Sequence, residues 1–411
     1  MQQSTTNSIL YTVGVFFLSA IYLLPAVRIG FDYTKLAIVL FVFYAVFILK
    51  TENLRPIITI VKNLLPYMFI SFIVAKAGNL KLGFFHPLLI TWCMLFPGIL
   101  CKDLIERGNK KELLSIAIIT LTMLLYVMYN TIGAFADSPD VMRQLTAVST
   151  IDDELRMAYV AANIGGFGVA YGSGAIVVLL ITLVVNKYLH GWTKIIIYLL
   201  LAYALYFVLN AQFTTLLLLV MFGSMVSLYF SEYGRRNKVQ LVLIGILLLF
   251  FIPLLFQLMA NLYESTTIGE KLVRFNESMF GDGNVTEVSG QRSKFQIDAF
   301  LLFLKSPIWG SDVTYNITNA TIYVSSHSTV LGIACSTGLI GLISYYKTYW
   351  SIIKPIYKDY ASSGKQYVAL VVYFFCFSFF NPSETTEACW IMFMIVPLLY
   401  NAVKTTNRNK I

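Results

Sequence analysis

The sequence predicts an all-α, polytopic transmembrane bundle of about twelve spans, with one large loop facing away from the cytosol. Three observations carry that prediction. Only 12% of the 411 residues are charged and 58% are apolar, whereas soluble domains carry about 25% charged residues. The apolar residues gather into stretches near the ~20 residues that cross a ~30 Å hydrocarbon core as a helix. A single long polar segment, 261–326, interrupts them.

In chain order the spans fall near 8–27, 33–49, 57–75, 84–101, 112–131, 164–185, 195–210, 213–230, 239–260, 328–346, 366–381 and 386–403. The first lacks a basic leader and a small-residue cleavage site, so it is expected to remain as a helix. The first sizeable outer loop, 132–157, carries Arg143, Asp152, Asp153, Glu154 and Arg156. The sixth span opens with small residues at four-residue spacing (Gly166, Ala170, Gly174; Gly168, Gly172), which let helices approach closely. Spans seven and eight form a tight hairpin broken only near Asn210, Ala211 and Gln212. Within the long segment, 281–290 is a turn-rich linker. Gln291 to Lys305 then reads as an amphipathic helix lying at the membrane surface, with Phe295, Ala299 and Leu302 on the face of Arg292, and Pro307 ends it. The chain thus divides into a bundle over 1–260, an extracytoplasmic loop over 261–327, and a C-terminal set of spans with its tail over 328–411.

The net charge of +9 invites a nucleic-acid partner, but its distribution excludes one. With both termini inside, the inner loops hold about 18 basic against six acidic residues, as cytoplasmic loops do. The excess follows from topology and anionic lipid. The five cysteines (Cys93, Cys101, Cys335, Cys376, Cys389) lie in or beside apolar spans without a C-x-x-C pair. They imply neither a disulfide framework nor a zinc site.

For proton transfer near neutral pH the natural side chain is imidazole. Of three histidines, His190 falls on an inner loop, whereas His86 and His327 open the fourth and tenth spans on the outer side. Either is also readable as an ordinary interfacial residue. On a continuous helix from His327, Ala334 and Gly338 fall within about 20° and Gly341 within about 40° of its direction. The histidine would then top a groove of small side chains, fit for a neighbouring helix or a lipid chain. Arg292 is the second candidate, because a guanidinium at the headgroup level grips phosphate through paired hydrogen bonds. A snorkelling anchor is the plainer alternative. Arg274 and Lys294 add charge to the same segment.

These residues carry a resemblance. Ser289, Gly290, Gln291 and Arg292, followed by the amphipathic helix and then Lys305-Ser306-Pro307-Ile308-Trp309-Gly310, look like the corresponding stretch of bacterial O-antigen polymerases and ligases. His327-Ser328 with Gly338 and Gly341 is similar to that superfamily's histidine motif. The resemblance covers about 290–342 and elsewhere rests on topology. It implies a glycosyltransferase of the bacterial inner membrane that moves glycan from a polyprenyl-diphosphate carrier. His327 would act as base and Arg292 would hold the departing diphosphate. Many members carry an arginine in the turn of the hairpin, where this chain has the uncharged 210–215 stretch. A second phosphate ligand would then come from Arg143, Arg156 or Arg274, with Lys294 and His86 as further substrate contacts. Relatives that need a metal place acidic pairs in the first outer loop, here little more than Arg28 to Asp32. No metal or other cofactor is expected. The partners implied are lipid-linked saccharides, the bilayer and a chain-length regulator.

A polymerase joining repeat units is the favoured activity, and a ligase to lipid A-core or protein is the alternative. A polysaccharide flippase is a different class. Against it stand the scarcity of ionisable groups within the spans, of which Lys62 is the main one, and the absence of an inverted repeat.

Overall fold

The computed structural model describes residues 2–49, 54–77, 83–145, 153–185, 191–231, 291–311, 314–317, 320–323, 328–361 and 367–408, with isolated positions between 189 and 273. The side chains of 2–7, 291–295, 314–323, 357–361, 367 and 404–408 are not described. The chain is an all-α, multi-pass membrane protein. Among the described residues seven helices are long and apolar enough to cross a bilayer, and four shorter apolar helices accompany them. The expected ninth span, 239–260, lies outside the described residues except at isolated positions.

α1 (Gln2–Leu23) stops before Pro25, which opens the short α2 (Pro25–Arg28) at the position where a missing N–H costs nothing. Asp32 caps α3 (Tyr33–Phe43) by accepting from the Lys35 amide at 2.8 Å, and α3 runs on as a π-helical turn over Tyr44–Ile48. α4 (Arg55–Ala77), α5 (His86–Arg107) and α6 (Lys110–Phe135) follow. Gly108, at φ 66°, lets the chain turn from α5 into α6, which Asn109 caps. The loop expected over 132–157 contains two short helices, α7 (Val141–Gln144) and α8 (Asp153–Ala161). Next come α9 (Phe167–Val185), α10 (Trp192–Asn210) and α11 (Thr214–Phe230). The predicted amphipathic helix is present as α12 (Gln291–Lys305). After it the chain forms an antiparallel hairpin, β1 (Thr314–Ile317) and β2 (Ala320–Tyr323), pairing Thr314 with Tyr323 and Ile317 with Ala320. The end of the chain comprises α13 (Thr329–Ala361), α14 (Tyr367–Phe380), α15 (Thr386–Trp390), a π-helical turn (Ile391–Ile395) and α16 (Val396–Arg408).

The helices apolar all round are the central ones: α9 and the last span are buried along most of their length, as such helices must be. The last span passes between α1, α5, α6 and α9, so the C-terminal region is built into the N-terminal bundle. α4 is two-faced. Ile60, Leu64 and Met68 point inward, while Ile58, Leu65, Phe69 and Ile73 are exposed, a stripe that suits lipid. Lys62 stands exposed on α4 too, away from any interior path. The small residues of α9 serve packing. A Cβ on Gly172 would lie 2.9 Å from Ile391 Cβ, and one on Gly174 2.6 Å from Leu216 Cδ1. The five cysteines are free thiols, four of them buried.

Three sequence expectations are corrected. Asp103, Glu106 and Arg107, assigned to an inner loop, belong to α5. Asp103 is 1% exposed because its Oδ2 accepts from Tyr11 Oη at 2.8 Å and from Arg107 Nε at 2.7 Å. Arg107 Nη2 also donates to the Phe47 carbonyl (2.7 Å), and its guanidinium lies 4.0 Å over the Tyr11 ring. Helix-local pairing and a neighbouring phenol thus keep a charge buried beyond the point where hydropathy ends the span. Lys347 and Lys354 are likewise inside α13 instead of a loop. The tenth span itself is not one continuous helix from Ser328: Gly338, at φ 64° and ψ −166°, breaks it, and the helix then continues to Ala361. The stretch after the break is about 34 Å long at 1.5 Å per residue, enough to cross alone.

Candidate functional site

The break in α13 is filled by the turn after α12. Leu339 N donates to the Pro307 carbonyl at 2.8 Å and Ile340 N to the Ile308 carbonyl at 3.4 Å. In return the Cys335 carbonyl, freed by the break, accepts from Ser311 N at 2.8 Å. A membrane helix can be interrupted only where other protein atoms replace the lost backbone bonds, and this turn does so. Two glycines make the approach possible. Gly310, at φ 79°, and Gly338 both take left-handed conformations, and a Cβ on either would strike the other segment's backbone. Gly341 lies against Thr337 and the Tyr67 ring. The groove of small residues inferred from a continuous helix is therefore absent. Gly338 accommodates neither a helix nor a lipid chain but the backbone of Ile308 and Trp309.

Behind the turn, Ala299 of α12 and Cys335 of α13 bury each other, with Leu302, Phe303 and Leu331 around them. α12 is thus packed against the first limb of α13 and joined to it again through the turn. The side chains of Arg292 and Lys294 lie outside the described residues, as do Arg274 and His327 entirely.

The start of α13 docks onto the 381–385 loop between α14 and α15. Thr329 N donates to the Asn381 carbonyl (3.4 Å), and Ser383 N to Thr329 Oγ1 (2.8 Å). Glu384 of that loop reaches the second limb of α13, where Tyr345 Oη donates to its Oε1 at 2.6 Å. Its charge also acts on Tyr33 of α3 and Tyr67 of α4. Burial pushes the Glu384 carboxyl above the usual carboxylate range, and the Tyr345 hydrogen bond pulls it partly back. Beside it Glu387 is ion-paired to Arg28 of α2. A Cβ on Gly168 would come 2.8 Å from Glu387 Oε2, so the glycine makes room for the pair. Beneath this surface, Asn381 is fully buried with neither its Oδ1 nor its Nδ2 hydrogen-bonded among the described residues, and Thr385 Oγ1 is likewise without a partner among them.

The remaining residues singled out in the sequence gather at this end. Tyr22 Oη donates to the Cys93 carbonyl at 2.6 Å while Tyr11 reaches Asp103, so α1 and α5 are antiparallel. His86, exposed on the first turn of α5, thus shares an end with Arg28. Arg156 is half-buried on α8, which packs against α2. Arg143 is half-buried on α7, which packs against α6 and α9. Arg28, Glu384, Glu387 and Asn381 were not singled out in the sequence. The one signal for the last three was the polar run Asn381-Pro382-Ser383-Glu384-Thr385-Thr386-Glu387 between two apolar spans, which reads as an ordinary short loop. No family model, curated protein or solved structure matches this chain.

Proposed function

We propose that the protein is a surface-polysaccharide polymerase of a bacterial inner membrane, with both termini cytoplasmic. It would join oligosaccharide repeat units carried on polyprenyl diphosphate at the outer face. The observation that most supports this reading is that the two segments carrying the superfamily resemblance are one structural unit. The turn 307–311 sits in the break at Gly338, and α12 lies along the first limb of α13. A helix bearing a phosphate-binding arginine and a helix opened by a histidine would need such a fixed relation to work on one substrate.

In the proposed reaction a hydroxyl of the acceptor sugar attacks the anomeric carbon of the donor. The bond from that carbon to the diphosphate oxygen breaks, and the electron pair leaves with the diphosphate. His327 takes the hydroxyl proton. Arg292 stabilises the charge growing on the leaving group. One displacement inverts the anomeric centre, and the lipid tail stays in the bilayer throughout. The chain's own side chains supply the acid–base and electrostatic groups this scheme requires.

The test is reconstitution of the purified protein with a lipid-linked single repeat unit. Wild type is expected to produce a ladder of lengthened glycans, and His327→Ala to produce none at an equal amount of folded protein. A ladder from His327→Ala would remove the base assignment. Transfer only to an added lipid A-core acceptor would identify a ligase instead.

A further inference from the structure

Glu384 has a setting that packing alone does not explain. It is partly exposed in the loop that receives the start of α13, and Tyr345 is the one hydrogen-bond donor to it among the described residues. No lysine or arginine lies within ion-pairing distance of it there, although Glu387, three residues on, has Arg28. The Tyr345 ring of α13 is 1% exposed, with the Tyr67 ring of α4 edge-on to it at 5.7 Å between centroids, and the Glu384 carboxyl bears electrostatically on Tyr67 and on Tyr33 of α3. Tyr33 and Tyr67 are partly exposed. On the same loop Asn381, 0% exposed, keeps a donor and an acceptor unused. Leaving such groups unpartnered is costly, so a ligand that satisfies them gains that energy.

We propose that Glu384, Tyr33, Tyr67, Tyr345 and Asn381 form a subsite for a sugar ring. The ligand these groups fit has several hydroxyls and an apolar C–H face. Glu384 accepts hydroxyl hydrogens through the oxygen that Tyr345 leaves free. The partly exposed Tyr33 and Tyr67 pack against the C–H face, while the buried Tyr345 fixes the carboxylate through its hydrogen bond. Asn381 supplies one further donor and acceptor once the loop shifts to admit the ring. The subsite adjoins the start of α13 through the bond of Ser383 to Thr329. Its role in the reaction rests on the polymerase reading: it holds the acceptor saccharide, whose hydroxyl must be presented to the donor. The binding claim itself stands on the residues alone.

The experiment uses the full-length protein in lipid nanodiscs. The probe is free oligosaccharide released by mild acid from the surface polysaccharide of the cells that make the protein, and binding is titrated calorimetrically. Wild type is expected to bind. Glu384→Ala is expected to weaken binding at least about tenfold, the effect of losing a charged hydrogen-bond partner. Glu384→Gln and Tyr345→Phe should each weaken it by a smaller factor, with Glu384→Gln melting no lower than wild type as the check on folding. Lys62→Ala, on the lipid face, should bind as wild type does. Equal binding by wild type and Glu384→Ala overturns the subsite and leaves the polymerase untouched. So does a wild type that lengthens lipid-linked units yet binds no free saccharide. Saccharide binding that depends on Glu384 without any lengthening keeps the subsite and overturns the polymerase. Binding of calcium in place of saccharide, lost in Glu384→Ala, overturns the subsite as well.

Discussion

Each end of the bundle buries charge, and the two ends do it differently. At the Asp103 end a carboxylate, a phenol, a guanidinium and a backbone carbonyl close on one another, and Asp103 Oδ2 alone takes two donors. At the elbow end, where α13 begins, Glu384 has a single donor among the described residues, and the side chain of Asn381 and Thr385 Oγ1 have none there. Ion pairs exist at both ends, Asp103 with Arg107 and Glu387 with Arg28. The presence of buried charge therefore does not separate a structural region from a site, nor does a single unpartnered oxygen, since Glu112 beside the Asp103 network keeps its Oε1 unused among the described residues; the contrast lies in how many groups around one carboxylate lack partners. A closed network stiffens helix packing, whereas an open one waits for a partner.

Four substitutions break or sharpen this contrast. Asp103→Ala should have the largest effect, a loss of about 3 kcal/mol, because it strands Arg107 and the Tyr11 hydroxyl away from water. Thermal unfolding in detergent measures it, and a change near zero would mean that the closed end is not structural. Gly338→Ala should cost about 2–3 kcal/mol, since a side chain there meets both a left-handed φ and the Ile308 carbonyl. Limited proteolysis near 306–311 should report the turn leaving its seat. Asn381→Leu should act in the opposite direction. Removing two unsatisfied polar atoms of similar volume is expected to raise stability by about 1 kcal/mol, while saccharide binding falls. A stability loss there would indicate a hidden partner for Asn381.

The smallest effect is a pH slope. The folded protein holds the Glu384 carboxyl above its ordinary range, so the folded state keeps this proton to higher pH than the unfolded chain does. The resulting stability is fully present below the unfolded carboxyl's pKa and is lost as pH rises through the folded value. Wild type should therefore lose stability on that rise, and Glu384→Gln should show a flatter dependence. Melting temperatures of the two proteins across the acid range decide it, and parallel curves would remove Glu384 as the cause.

The amphipathic stretch 291–305 and most spans were legible because burial in lipid needs only apolar composition and helical length, which are local properties. The hairpin at Thr314–Tyr323 had a local signal too, alternating Thr, Tyr and Ile, but too short to stand out. Asp103 was misread as a loop residue because hydropathy cannot register that Tyr11, ninety-two positions earlier, is there to receive it.

The candidate site divides along the same line. The sequence by itself determined that the chain lives in a membrane, where its helices run, and that Gly310 and Gly338 stand in motifs flanking a polar loop. Only the tertiary structure decided that these two glycines meet, that the tenth helix is bent there instead of presenting a groove, and that Arg28, Asn381, Glu384 and Tyr345 collect at one end. Helix formation depends on neighbours a turn apart, which a linear reading can see. Breaking a helix in lipid requires that a distant backbone segment arrive to take its hydrogen bonds, and that condition is set by the packing of the whole bundle.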